Sequence, residues 1–311
     1  MTATPSGGRA SRAEMPRLRS APKIGPRRKY IQTALLVVCL ANLLCPGPSR
    51  GENSSLRSPY EGAVERALRN FAPPSPTPSR GVILGGIVPH HDIALDMILR
   101  FYARVSSGRD VRRVWLFAPD HFRRARRAVA VCPSDWTLSA GTLRADGVGV
   151  ESILKMRMVE ARPDLFAAEH GVTIHIPLIR RFLPDATVVP IVLRPDMPDM
   201  ALLRLRNGLK HLIRDGDLII LSMDLSHYRT PEGLASEDIR TLRVLSEMSP
   251  LKTARIDADA SRAAALVLLL LKDMGASRGE VMEHADSSSI LGRRVESGTS
   301  YATLIYSSAP D

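Results

Sequence analysis

Between Val82 and Tyr306, short apolar runs of strand length alternate with longer stretches whose apolar residues recur at helical spacing, and this alternation constrains the fold more than any other feature. Val82 to Val88, Val114 to Ala118, Val129 to Cys132, Thr187 to Leu193, Leu218 to Met223 and Thr299 to Tyr306 read as strands. Ile93 to Val105, Val150 to Glu160, Ile174 to Phe182, Ala201 to Arg214, Glu237 to Glu247 and Ser261 to Met274 read as helices, several of them opened by Asp, Ser or Pro. The order predicts a single α/β domain with a central mixed or parallel sheet flanked by helices, spanning residues 81–311. Ligands of such sheets gather at the carboxyl ends of the strands.

The chain before residue 81 has a different character. The formal charge of +11 invites a nucleic-acid reading, but nine of the 43 Lys/Arg and only one acid, Glu14, lie in residues 1–50. The rest of the chain holds 34 bases against 31 acids, about +3, which excludes nucleic acid as an expected partner. In the leader a basic stretch ending in "PRRKYIQ" is followed by the apolar "TALLVVCLANLLC" (Thr33 to Cys45), shorter than the roughly 20 residues a spanning helix needs. Residues 1–50 are therefore expected to be a signal peptide, with Arg27 and Arg28 as a twin-arginine pair, or an N-terminal anchor. The protein is expected to be exported, and to meet a membrane only through this segment if it is uncleaved. Residues 51–80 are expected to form a helix, with Val64, Ala67, Leu68 and Phe71 on one face, followed by the proline-rich linker "APPSPTPSR". Two of the three cysteines, Cys39 and Cys45, fall in the leader. Cys132 stands alone in the body, which excludes a disulfide framework and a cysteine-rich zinc site.

Three of the strand-like runs end in the same chemistry. "GVILGGIVPHH" delivers His90 and His91, "VWLFAPDH" delivers Asp120 and His121, and "LIILSMDLSH" delivers Asp224 and His227. A single histidine at a strand end is usually structural, but three in a chain with eight histidines point to a shared site. Neutral imidazoles converging on one cleft suit a divalent transition metal, with carboxylates to balance its charge and orient the rings. A serine hydrolase lacks its Gly-x-Ser-x-Gly elbow here, and "GG" at Gly85 and Gly86 has no Lys-Ser/Thr partner for a phosphate loop. "AAEHGVTIHIPLIRRFLP" adds Glu169 and His170 just ahead of a helix. His175 falls within its apolar spacing and reads as packing. The run "RRARR" (Arg123 to Arg127) reads as a solvated loop beside His121, and "HADSSS" (His284 to Ser289) offers hydroxyls without an evident base.

These residues resemble the Memo-like proteins, also called AmmeMemoRadiSam system protein B, relatives of the class III extradiol ring-cleavage dioxygenases. The resemblance runs in order through "VPHH", "APDH", "DWTLSAGTLRAD", "EHGVTIHIPLI", "VVPIVL" and "SMDLSHY", covering most of residues 81–306. It implies an α/β sheet with a metal-capable cleft at the strand ends. It further implies that His90 and His121 are the two histidine ligands and that Asp224 and His227 are the Asp/His pair beside them. The family usually supplies a third contact from a Cys-Gly-x-x-Pro turn opening a late helix. Here the equivalent turn is "DADASRA", which brings Asp259 to the cysteine's place, with Asp257 as the alternative and a helix N-cap as the plainer role for Asp259.

Two histidines and a carboxylate with open positions suit non-haem Fe(II) and oxygen chemistry, so Fe(II) is the favoured ion, with zinc and copper as alternatives. On this expectation His227, oriented by Asp224, is the acid/base residue, and His91, Asp120, Glu169 and His170 stand around the ligands and orient them. The ligand expected in the cleft is a small molecule, catecholic or otherwise chelating, or a peptide. A binding or adaptor protein that keeps the cleft without turnover, and a metal-dependent hydrolase, are the other readings.

Overall fold

The computed structural model describes residues 55–73, 81–107 and 109–309, so the expected leader and most of the proline-rich linker lie outside the described residues. Among the described residues no helix is long and apolar enough to cross a membrane. The first element, α1 (Glu61–Asn70), packs on the body of the protein: Val64 is buried, the Phe71 ring meets Phe182 edge-on at 6.3 Å, and Leu56 exchanges backbone hydrogen bonds with Asp135 and Thr137. The helix is thus part of the same packed unit as residues 81–309.

The body is built on one large mixed sheet. Its strands are β1 (Ile83–Val88), β2 (Arg113–Pro119), β3 (Val129–Val131), β6 (Val159–Ala161), β7 (Thr187–Leu193), β8 (Asp217–Ser222), β9 (His227–Arg229), β10 (Ala276–Asp286) and β11 (Gly298–Ser308). The remaining two, β4 (Trp136–Leu138) and β5 (Gly141–Leu143), form a separate hairpin. The spatial order is β10-β11-β1-β8-β2-β7-β3-β6, with β9 paired to β11. The four central strands β1, β8, β2 and β7 run parallel, while β10, β11 and β3 join antiparallel to their inner neighbours.

Helices cover both faces, which is why the central strands are apolar throughout rather than alternating. Every residue of β1 and β8 is buried. On β2, Val114, Leu116 and Ala118 face the cluster built with α2 (Leu95–Ser106) and α6 (His175–Phe182). Trp115 and Phe117 face the cluster built with α7 (Asp199–Leu209), α8 (Pro231–Ser246) and α9 (Ser261–Asp273). Gly86 lets α2 lie close, since a Cβ there would collide with the Phe101 ring and the Leu304 carbonyl. At the opposite end of the sheet from the strand tips, Asp217 is 3% exposed and accepts from Arg113, from Trp115 Nε1 (2.8 Å) and from the Arg214 amide (2.9 Å).

Several expected elements change in the structure. The helix expected over 150–160 is α3 (Gly147–Leu154), started by the Asp146 side chain accepting from Gly149 N; the chain then turns, and Val159–Ala161 becomes a strand parallel to β3. The helix expected over 174–182 is α6, preceded by the short α4 (Pro163–Phe166) and α5 (His170–Thr173), and the one expected over 237–247 begins earlier, at Pro231. The longest missed strand is β10. It is an edge strand carrying Arg278, Glu280 and Glu283 with two register shifts against β11, so neither apolar alternation nor burial marks it in the sequence.

Candidate metal centre

The strands that end in histidine are neighbours. β1, β8 and β2 lie side by side and parallel, with Val88 opposite Ser222 and Phe117 opposite Leu221, so their carboxyl ends open on one edge of the sheet. His90 follows β1, His121 follows β2 and Asp224 follows β8 by two residues each. The β8 loop is tied across: Met223 N donates to Val88 O at 3.0 Å, and His90 N donates to Asp224 Oδ1 at 3.0 Å.

His90 is 2% exposed. Its Nδ1 is hydrogen-bonded to Ser222 Oγ at 2.9 Å, which turns Nε2 toward Asp259 Oδ2 at 3.0 Å, with Asp224 Oδ2 at 3.6 Å. His121 is oriented by Glu169, a carboxylate with no exposed surface. His121 Nδ1 donates to Glu169 Oε1 at 2.6 Å and its backbone N to Oε2 at 3.2 Å, leaving Nε2 3.5 Å from the same Asp259 Oδ2. The two Nε2 atoms therefore converge on one carboxylate oxygen. Asp259 precedes α9, whose N-cap is Ala260, and its backbone N donates to Asp224 O at 3.3 Å; its carboxylate performs no capping. Asp257 instead pairs with Arg229 Nε at 2.7 Å, outside the cluster.

The charges respond to this crowding. For His121, burial works against the cation, but the hydrogen bonds and charges of Asp259 and Glu169 overcome it and lift the pKa to about 10. Burial opposes the His90 cation as well, yet Asp224 and Asp259 hold its pKa above the ordinary value. Burial alone would raise the Asp259 carboxyl, but His90 and His121 bring it far below the usual range; in Asp224 burial prevails and raises it. His170 is pushed down to about 4, first by burial and then by the cations of His121 and His90.

The structure separates the other expected site residues. His170 opens α5 with its ring centroid 4.0 Å from that of His121 and 5.0 Å from that of His90, well inside the cluster. His227 is partly buried on β9, paired with Thr299 of β11. His91 is about half exposed. Its Nδ1 lies 2.9 Å from Asp92 Oδ1 and 3.4 Å from Ile93 N, so it caps the turn after β1 rather than entering the cluster. Asp120 is buried but accepts from the amides of Arg124 (3.0 Å) and Ala125 (2.8 Å), fixing the loop after His121. His175 lies in the core beside Tyr102, and burial takes its pKa down to about 3. Ser222 is absent from the expected set; a serine closing an otherwise apolar strand is the signal that marks it.

Two donor groups bring at least three candidate atoms within 4.8 Å of one another: His90, His121 and His170, and His90, Asp224 and Asp259. One oxygen of Asp259, Oδ1, is buried without any hydrogen-bond partner, and a cation would satisfy it. The donor set of imidazoles and carboxylates fits a divalent ion of the first transition row.

The chain is similar to several known proteins. A "MEMO1 family protein" of Nitrosopumilus maritimus is 22% identical over 232 residues, 71% of this chain and 84% of its own length. One from Caldivirga maquilingensis is 23% identical over 240 residues, 73% and 84% of the two chains, and one from Thermotoga petrophila is 26% identical over 189 residues, 59% and 68%. Among solved structures, an uncharacterised protein of Escherichia coli K12 aligns with a TM-score of 0.46 at 12% identity, over 72% of this chain and 99% of its own. The family described as "Memo-like protein" matches residues 60–305, nearly the whole described body, and the chain therefore belongs to the Memo-like family.

Proposed function

We propose that this chain is a metal-dependent oxygenase-type protein holding a divalent ion, Fe(II) by preference, on His90, His121 and Asp259. The observation that carries the reading is the convergence of His90 Nε2 and His121 Nε2 on Asp259 Oδ2, at 3.0 and 3.5 Å, beside an Asp259 oxygen with no protein partner. When bound, the ion supplies Lewis-acid polarisation and, as Fe(II), one-electron chemistry. The rest is the work of the chain. Ser222 and Glu169 hold the two rings by their Nδ1 atoms, so the ligating nitrogens are oriented before an ion arrives. Asp224 fixes the backbone of His90 and adds negative charge beneath the cluster. His227, on β9 three residues after Asp224, is the acid/base residue that takes or returns a proton at a ligand hydroxyl.

The cleft takes a small molecule or a peptide. Beside the cluster Phe122 is 50% exposed, its ring 6.0 Å from His170 and its face covered by the Arg124 guanidinium at 5.2 Å, and Tyr228, against His227 at 5.8 Å, is 83% exposed. Exposed aromatics near a cluster of charged groups favour contact with an organic ligand. They also favour the second reading, a binding protein that uses the same cleft without turnover.

The test is metal content by elemental mass spectrometry of the full chain purified without oxygen, beside His121→Ala. Near-stoichiometric iron that the variant loses supports the oxygenase reading. Stoichiometric zinc points to a hydrolase, and no metal in either protein after soaking with iron leaves the binding protein.

A further inference from the structure

We propose that His170 is itself a metal ligand, so that the centre offers three imidazoles and one carboxylate. This inference rests on the metal reading above and goes beyond its three ligands. Glu169 Oε1 lies between two rings: it is 2.6 Å from His121 Nδ1 and 3.5 Å from His170 Nδ1. The rings are only 32° from parallel with centroids 4.0 Å apart. His121 Nε2 lies 3.5 Å from Asp259 Oδ2, and one ring nitrogen of His170 lies within 4.8 Å of ring nitrogens of both His121 and His90.

The local sequence makes the approach feasible. Glu169 is the N-cap of α5, accepting from Gly171 N at 3.1 Å, which puts His170 at the first position of the turn. A Cβ on Gly171 would come within 3.2 Å of Ala118 Cβ and 3.3 Å of His121 Cε1, a tight contact that glycine relieves where this turn lies against the end of β2. One candidate ligand nitrogen from each of His90, His121 and His170 lies within 4.8 Å of the other two.

A fourth protein donor narrows the chemistry of the site. It would hold the ion with more protein donors and leave fewer positions for a ligand from outside than a three-donor site.

Affinity alone does not decide the matter, because losing a group that merely orients a ligand also weakens metal binding about 10- to 100-fold. Counting imidazoles does. The full chain, freed of metal and loaded with one equivalent of Co(II), is examined by paramagnetic proton NMR, in which each histidine bound through Nε2 contributes one strongly shifted Nδ1–H signal that disappears in deuterated water. Three such signals, falling to two in His170→Ala and in His170→Gln, are expected. Two signals in the unmodified protein overturn the assignment while leaving the two-histidine site intact. Failure of the unmodified protein to take up cobalt overturns the metal reading and His170 with it. The decisive count comes from the unmodified chain, so a variant that folds poorly does not obscure it.

Discussion

Metal uptake should expel protons, and the number expelled can be worked from the site. His121 has a pKa of about 10 in the metal-free cluster because Glu169 and Asp259 outweigh the cost of its burial. At pH 7 its neutral fraction is then about one in a thousand, so competition from the proton weakens apparent metal affinity about a thousandfold, or ~4 kcal/mol. An ordinary imidazole with a pKa near 6.5 is only about one-quarter protonated at pH 7, and two of them would release about half a proton. Here His121 alone releases about one, and His90, also raised, adds more than an ordinary share, giving a total between about one and two. Because the proton and the ion compete for the same nitrogens, affinity rises with pH, about tenfold or more per unit between pH 6 and 8, and the rise ends above pH 10. Calorimetric titration of the metal-free full chain with Co(II), in two buffers of equal pH and different ionisation heat, measures the proton count. Glu169→Gln removes one of the two carboxylates on His121 and should lower it. A count at or below about half a proton, with affinity flat in pH, would refute the reasoning.

The same geometry sets other outcomes. Asp259→Cys, loaded with Co(II), should show a near-ultraviolet thiolate charge-transfer band absent from the unmodified protein; no band at full cobalt occupancy would remove Asp259 from the ligand set. Asp217→Ala leaves a largely buried Arg113 with only the longer carboxylate contact to Asp146 at 3.4 Å and Trp115 Nε1 without an acceptor, and should cost about 3 kcal/mol in urea unfolding, whereas Arg294→Ala at an exposed pair should leave the unfolding midpoint unchanged. Asp238 is 1% exposed and gathers Ser226 (3.2 Å), Ser300 (2.8 Å) and His284 (2.7 Å) around one carboxylate. Asp238→Ala orphans two buried hydroxyls and should lower stability by about 3 kcal/mol with metal stoichiometry unchanged, as unfolding and elemental analysis would show.

The fold class was legible because buried parallel strands must be apolar on both faces, and runs such as Ile83–Val88 and Asp217–Ser222 stand out against helical spacing. Strands that lie at an edge or in a short hairpin, β10 and the β4-β5 pair among them, carry no such requirement and leave no mark in the pattern. His90, His121 and Asp224 were legible one at a time, as polar residues closing apolar runs, while Asp259 was reached only through the resemblance, with Asp257 as the alternative. Their standing was not: His91 and Asp120 have the same place in sequence as their neighbours His90 and His121, and only backbone direction sends the first pair into turns and the second into the cluster.

By itself the sequence determined which residues could be buried, where strands had to alternate with helices, and that three strand ends carried imidazole or carboxylate. Local physics suffices for that, since burial and periodicity are properties of neighbouring residues. The tertiary structure alone decided that β8 inserts between β1 and β2, so that residues 31 and 134 positions away from His90 come within reach of it. It also decided that Asp259, rather than Asp257, meets both Nε2 atoms, and that a single buried carboxylate, Glu169, faces two histidines at once. Those relations depend on strand order and on side-chain direction at loop ends, which no periodicity in the chain encodes.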